Sequence, residues 1–272
     1  MIAVELRKLA RRPRTWVTLL MLDALPVLVA VLLKITDIGP RPGQGPTFLS
    51  AVLADGTLFP AAALAIVLPL FLPIAVSVIA GDAIAGEAQA GTLRYLLIRP
   101  VARTRLLIAK LVSVWVFVVV GVLVVAGTGY IVGRFLFGVP PAGTAIATTV
   151  SGTPLNSQEI ALRTFLAIGY VTLSMLGVAA MALFLSTLTD SPLAAALGAM
   201  ALLISSSLLL TLDAARSLQP YLPTRYWLSF TDLFRDPILW RNVERGVLLQ
   251  GIYVVVLLGA AWANFASKDV TS

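Results

Sequence analysis

The sequence predicts an all-α polytopic membrane protein: six transmembrane helices, preceded by an amphipathic helix at the membrane surface. Three observations carry this. Apolar residues make up 59% of the chain and charged residues 12%, about half the ~25% charged share of soluble domains. The charges that exist are gathered between six long apolar windows. Each window is long enough to cross the hydrocarbon core, which takes ~20 residues. A soluble core could not hide so much apolar side chain, so lipid must cover it.

The windows are Trp16–Leu33, interrupted only by Asp23, then Gly56–Gly81, Leu111–Gly133, Thr164–Thr189, Ser191–Leu212 and Gly246–Ser267. They place spans at about 16–34, 57–81, 105–133, 162–188, 192–212 and 246–266, in one membrane domain covering 1–272. Backbone groups in lipid must be satisfied within each segment, so these are helices. Asp190-Ser191-Pro192 leaves room only for a tight reversal between the fourth and fifth spans. The basic start could suggest a signal peptide, but the first apolar stretch contains Asp23 and Pro26 and no small-residue cleavage site precedes Lys34. It reads as an uncleaved span.

Ahead of it, Ile2, Leu6 and Leu9 share one helical face while Arg7, Lys8, Arg11 and Arg12 point elsewhere. That pattern predicts a short amphipathic helix lying on the membrane and ended by Pro13. Five basic residues precede the first span (Arg7, Lys8, Arg11, Arg12, Arg14) and two follow it (Lys34, Arg41). The excess of basic residues before the span puts the N-terminus in the cytoplasm, and six spans bring the C-terminus back to the same side. The 82–110 segment, with Arg94, Arg99, Arg103, Arg105 and Lys110, is then cytoplasmic as well. The stretch 213–245 conflicts with this scheme, since it should be external yet holds Arg216, Arg225, Arg235, Arg241 and Arg245. Its Tyr221, Tyr226, Trp227, Phe230, Phe234 and Trp240 suggest interfacial anchoring or short re-entrant helices.

The chain has no Cys and no His, which removes thiol nucleophiles, imidazole bases and the usual zinc constellations. An intramembrane protease is thereby all but excluded. The net charge of +7 is assigned to membrane-flanking Arg and Lys facing anionic lipid. Nucleic acid is not expected as a partner, because no basic run carries interleaved aromatics outside membrane-flanking segments. A secondary transporter or channel usually shows several intramembrane charges. Here Asp23 is the only carboxylate well inside a span, which makes it the candidate pathway residue; the alternative is a register that brings it close to the headgroups. Pro60, Pro69 and Pro73 should break the hydrogen bonding of the second span. Ser205, Ser206, Ser207, Thr172, Ser174 and Gln250 could line a pathway, with bonding across helices the favoured reading.

The most informative stretch runs from Gly81 to Arg105. The second span is expected to overrun the membrane edge, bending at Gly81 and Gly86. A short helix would follow, presenting Leu93, Leu96 and Leu97 on one face and ending before Pro100. Such an element suits docking into a groove of another protein or embedding in the lipid interface. Its residues decide for docking through a resemblance. Gly86-Glu87, Gly91-Thr92-Leu93, Leu96-Leu97, Pro100, Arg103 and Leu106-Leu107, in this order and spacing, resemble the signature of ATP-binding-cassette (ABC) type-2 permeases. The basic amphipathic start and the six spans resemble that family too.

The resemblance implies that the 82–104 loop carries a cytoplasmic coupling helix seated in a cleft of a separate ATPase subunit. Glu87 would cap or pair with a basic group of the ATPase. Gly91 and Thr92 would shape the turn, Leu93, Leu96 and Leu97 would fill the cleft, and Arg94 and Arg103 would meet partner carboxylates or lipid phosphates beside Pro100. No Gly-x-x-x-x-Gly-Lys-Ser/Thr phosphate loop occurs in the chain, so it is not expected to be an enzyme by itself. ATP and Mg would belong to two ATPase copies, and the pathway would form between this chain and a second permease copy or homologue. The expected role is thus the membrane subunit of an efflux system in the cell (inner) membrane. A maturation or signalling complex of the same family, or a secondary transporter or channel, is the alternative.

Overall fold

The computed structural model describes residues 1–36, 52, 55–92, 103–138, 153 and 155–267. Among these, the regular elements are all helical, and six helices are long and apolar enough to span a membrane. The protein is a multi-pass membrane protein.

Helix α1 (Ile2–Arg11) stops at Arg12, and Pro13 opens α2 (Pro13–Thr36), where its missing N–H costs no hydrogen bond. The corner is fastened by the Trp16 indole, which donates to the Ala10 carbonyl at 2.8 Å. Helix α2 buries Thr15, Leu19, Leu22, Pro26 and Ala30, a stripe of three- and four-residue steps that rests on the third long helix.

The second crossing departs from expectation. In place of one helix over 57–81 there are two, α3 (Phe59–Val67) and α4 (Phe71–Gln89), joined by Leu68-Pro69-Leu70. Pro69 has no N–H for the helical ladder and its ring crowds the preceding turn, so the helix stops. Pro60 and Pro73 fall in first turns, where amides are unpaired anyway. A short 3-10 turn, Gly56–Leu58, leads into α3. Asp55 caps it, accepting from the Thr57 amide at 2.8 Å and the Thr57 hydroxyl at 2.7 Å.

Helix α4 runs through Gly81 and Gly86 as one helical segment to Gln89. Gly81 is a packing site, where an added Cβ would lie 3.0 Å from the Ala196 amide nitrogen. The loop expected over 82–104 is correspondingly shorter, because α4 fills 82–89 and α5 (Arg103–Phe137) begins at 103.

Helix α5 and helix α6 (Ser157–Leu188) have 35 and 32 residues, far more than the ~20 needed to cross, so both project beyond the hydrocarbon. A capping box starts α6: the Asn156 side chain accepts from the third-residue amide, and Glu159 reaches back to the Asn156 amide at 3.0 Å. Thr189-Asp190-Ser191 then reverses the chain into α7 (Pro192–Leu209), capped by the Ser191 hydroxyl. Three 3-10 turns, Asp213–Ala215, Gln219–Tyr221 and Trp227–Phe234, precede α8 (Trp240–Ser267). Helix α6 is the hub, packing against α4, α5, α7 and α8.

The contacts sort the connections into two ends. Helix α1, the ends of α4, α6 and α8 and the starts of α5 and α7 share one, the near end. There Asn264 donates to Thr187 at 3.0 Å and the Trp262 indole donates to Thr104 at 3.1 Å. At the far end, the Gly56 amide meets the Gly138 carbonyl at 3.1 Å, and Arg163 donates to the carbonyls of Leu233 (3.1 Å) and Arg235 (2.9 Å). The 210–239 connection therefore lies opposite α1, and the Asp190 reversal lies beside it.

The aromatics of that connection divide. Expected as interfacial anchors or parts of short re-entrant helices, Trp227, Phe230 and Phe234 are buried in the core, while Tyr221 and Trp240 are exposed. The polar residues of the spans tie the connection down: Gln250 donates to the Pro223 carbonyl at 2.7 Å, and Ser206 and Thr224 share a 2.7 Å bond. Ser174 bonds the Tyr170 carbonyl of its own helix at 3.0 Å. Gln250 and Ser206 thus bond to another segment of the protein, whereas Ser174 bonds within its own helix.

Candidate functional site

The near end is built around charges contributed by four helices, α1, α2, α4 and α5. Glu87, two residues from the end of α4, is 5% exposed, and Lys110 on α5 is 3% exposed. The two form an ion pair, and Lys110 also donates to Glu5 of α1 at 2.8 Å. Lys8, one turn further along α1, donates to the same Glu87 oxygen at 2.6 Å. Five residues earlier on α4, Asp82 accepts from Arg12 at 2.6 Å and from both terminal nitrogens of Arg14. Three carboxylates thus face four cations, and each side of the pairing comes from a different helix.

The placement follows from helical geometry. Glu5, Lys8 and Arg12 recur every three or four residues, so they lie on one face of α1. That face is turned onto α4 and α5, with Leu9 packed against the core beside it. The sequence placed Lys8 and Arg12 off the Ile2–Leu6–Leu9 face without naming partners for them, and the structure supplies Glu87 and Asp82. Two buried charges are tolerable only when paired and hydrogen-bonded, and Glu87 and Lys110 satisfy that through each other and through α1. The second Glu87 oxygen has no hydrogen-bond partner among the described residues. Glu87 lines a cavity of about 30 Å³ together with Glu5, Lys8, Asp82 and Ser113, room enough for a water.

Below this cluster a hydroxyl is inserted into α4. Ser186 of α6 donates to the Gly81 carbonyl at 2.7 Å and accepts from the amides of Ile84 (3.1 Å) and Ala85 (2.9 Å). It therefore occupies both ends of a helical rung and registers α4 on α6. At Gly86, an added Cβ would lie 2.8 Å from the Asp82 side-chain carbon, so a bare backbone leaves room for the Asp82 carboxylate.

The C-terminus of α4 is a complete Schellman turn. The Gly91 amide bonds the Ala88 carbonyl and the Thr92 amide bonds the Glu87 carbonyl, both at 3.0 Å. Gly91 has φ +67°, the left-handed conformation in which glycine has no steric cost. The Thr92 hydroxyl adds a second bond to the Glu87 carbonyl at 3.2 Å.

The structure brings Glu87, Gly91 and Thr92 together at one helix end. Glu87, expected to meet a basic group of a partner, is instead spent on Lys110 and Lys8 of its own chain. Leu93, Arg94, Leu96, Leu97 and Pro100 lie outside the described residues. Arg103 is the first residue of α5. Asp23 is apart from all of these, midway along α2, where the Thr128 hydroxyl of α5 donates to one oxygen at 3.2 Å and the other is buried without a partner.

Sequence reasoning counted Lys8, Arg12, Arg14 and Lys110 among the membrane-flanking cations without pairing them, and passed over Glu5, Asp82 and Ser186. One signal was present: Lys110 stands in the run Leu106–Val114, apolar on both sides, where an unpaired ammonium is costly.

A comparison with curated proteins finds no match. The family model described as Protein of unknown function (DUF2705) matches residues 47–271, most of the chain and every element from α3 to α8. The chain belongs to the DUF2705 family.

Proposed function

We propose that this chain is the membrane subunit of an ATP-driven exporter of the ABC type-2 kind, coupled through its near end to separate ATPase subunits. The observation that supports this most is the anchoring of the α4 terminus. The segment whose motif resembles the coupling helix begins at a Schellman turn whose last helical residues are clamped by Glu87 to α1 and α5. A partner pushing on that segment would move three helices as one body, which is what transmission of a power stroke requires. The excess of Arg and Lys before the first span places the near end in the cytoplasm, with both termini there, in the cell membrane. The pathway then lies between this chain and a second copy or homologue, and two ATPase copies carry the ATP and Mg.

The test is co-purification and transport. The chain should co-purify with a separate ATPase, and Leu96→Asp or Gly91→Trp should abolish substrate-stimulated ATP hydrolysis while membrane insertion is retained. Gly91→Trp adds a large side chain at positive φ where nothing lies within 4 Å, so it alters the turn and its outer surface without clashing inside the bundle. Full transport by either variant would show that this segment does not couple.

A further inference from the structure

We propose that the cleft between α5 and α8 at the near end is a binding site for one anionic phospholipid. The two helices run antiparallel and are held together at the near end by the Trp262–Thr104 hydrogen bond. Beyond that clasp they separate around a cavity of about 200 Å³, lined by Leu111, Val112 and Trp115 of α5, Leu176 of α6, and Val254 and Leu258 of α8. Every lining residue is apolar, with Trp115 about half exposed at its mouth. The cleft therefore opens sideways onto the bilayer.

A cation on α5 stands at its polar end. Arg105, Ile108, Val112 and Trp115 follow at steps of three and four on α5, so Arg105 stands over the same face as the cavity. Arg105 is exposed and forms no ion pair among the described residues. Helix α5 contains no carboxylate, and on α8 the single one, Glu244, is at the far end. From Arg105 to Trp115 the helix rises about 15 Å at 1.5 Å per residue, half of the ~30 Å hydrocarbon core. An apolar slot one leaflet deep, with an unneutralised guanidinium and an indole at its polar rim, matches an acyl chain below a phosphate. Basic pockets between spans favour anionic headgroups for the same reason.

The experiment is native mass spectrometry of the full chain reconstituted in vesicles of equal parts phosphatidylcholine and phosphatidylglycerol. Wild type should release from detergent with one tightly held phospholipid, enriched in phosphatidylglycerol by about fivefold. Val112→Trp and Val254→Phe fill the cleft from opposite walls, and each should lose the retained lipid of both kinds with helical circular dichroism unchanged. Arg105→Gln should keep the lipid but lose the preference for phosphatidylglycerol. Retention by both cleft-filling variants, or an undiminished preference in Arg105→Gln, would overturn the proposal. These readouts require no ATPase, so they are independent of the exporter reading.

Discussion

Lys110 and Glu87 face each other across α4 and α5 as an ion pair almost wholly withdrawn from solvent. Breaking such a pair by removing one partner costs about 3–5 kcal/mol, because the remaining charge stays buried. Lys110→Ala leaves Glu87 with Lys8 alone and Glu5 with no cation, so thermal unfolding in detergent should show a loss of that order. Glu87→Gln together with Lys110→Met should be less destabilised than the two single losses added, since the two most buried charges leave together and Glu5 and Lys8 remain one turn apart on α1. Strict additivity in that cycle would show that the pair does not act as a unit.

Asp82 holds two arginines that flank Pro13, so Asp82→Asn should loosen α1 more than global stability. Partly exposed pairs contribute about 0–1 kcal/mol each, too little to unfold a six-helix bundle. A single cysteine at Leu9, which is half-buried against the core, should react faster with a thiol reagent in Asp82→Asn than in the parent chain. Equal rates would place the hold on α1 with Glu87 and Lys110 alone.

Asp23 should show opposite effects on stability and activity. Its second oxygen is buried without a partner, a penalty of about 1–3 kcal/mol that Asp23→Leu removes. The variant is expected to melt higher than wild type in detergent and, if Asp23 lines the pathway, to transport less. Asp23→Asn keeps the shape and the Thr128 contact while removing the charge, so it separates the two contributions. Normal transport by both variants would leave Asp23 outside the pathway.

The two-ended arrangement can be read by labelling, since the chain lacks Cys. With the near end cytoplasmic, single cysteines at Thr104 and Ser191 should resist an impermeant thiol reagent added to intact cells. One at Ser229, in the far-end connection, should react. The reverse pattern would invert the orientation and leave the bundle as described.

The bundle itself was legible from sequence because hydropathy is a local property. Six apolar windows gave six long helices, and Pro13 marked the end of α1. The prolines of the second span were noticed, yet which of them would stop the helix was not. Pro60 and Pro73 each became first-turn residues, and only Pro69 fell where the ladder needed an N–H. What stayed hidden was long-range. Glu87 meets Lys110 across 23 residues, Lys8 across 79, and Asp82 meets Arg12 across 70. No periodicity in one segment encodes such partners. Which aromatics of the far-end connection enter the core was hidden for a related reason: Trp and Phe have the same composition signature at a lipid interface and in a protein core, and only tertiary contact with α6 and α8 separates the two.

The charge cluster also has a schedule. Helix α1 is made before α4 and α5, and the Lys110 partner of its Glu5 comes 105 residues later. At roughly 5–20 residues per second of synthesis that interval is about 5 to 20 s. The ionic face of α1 stays uncompensated until α4 brings Asp82 and Glu87, and its pairing is complete only once Lys110 has arrived. Entry of the third long crossing is thus registered at α1, and an assembly stalled before Lys110 would leave that basic helix only partly docked.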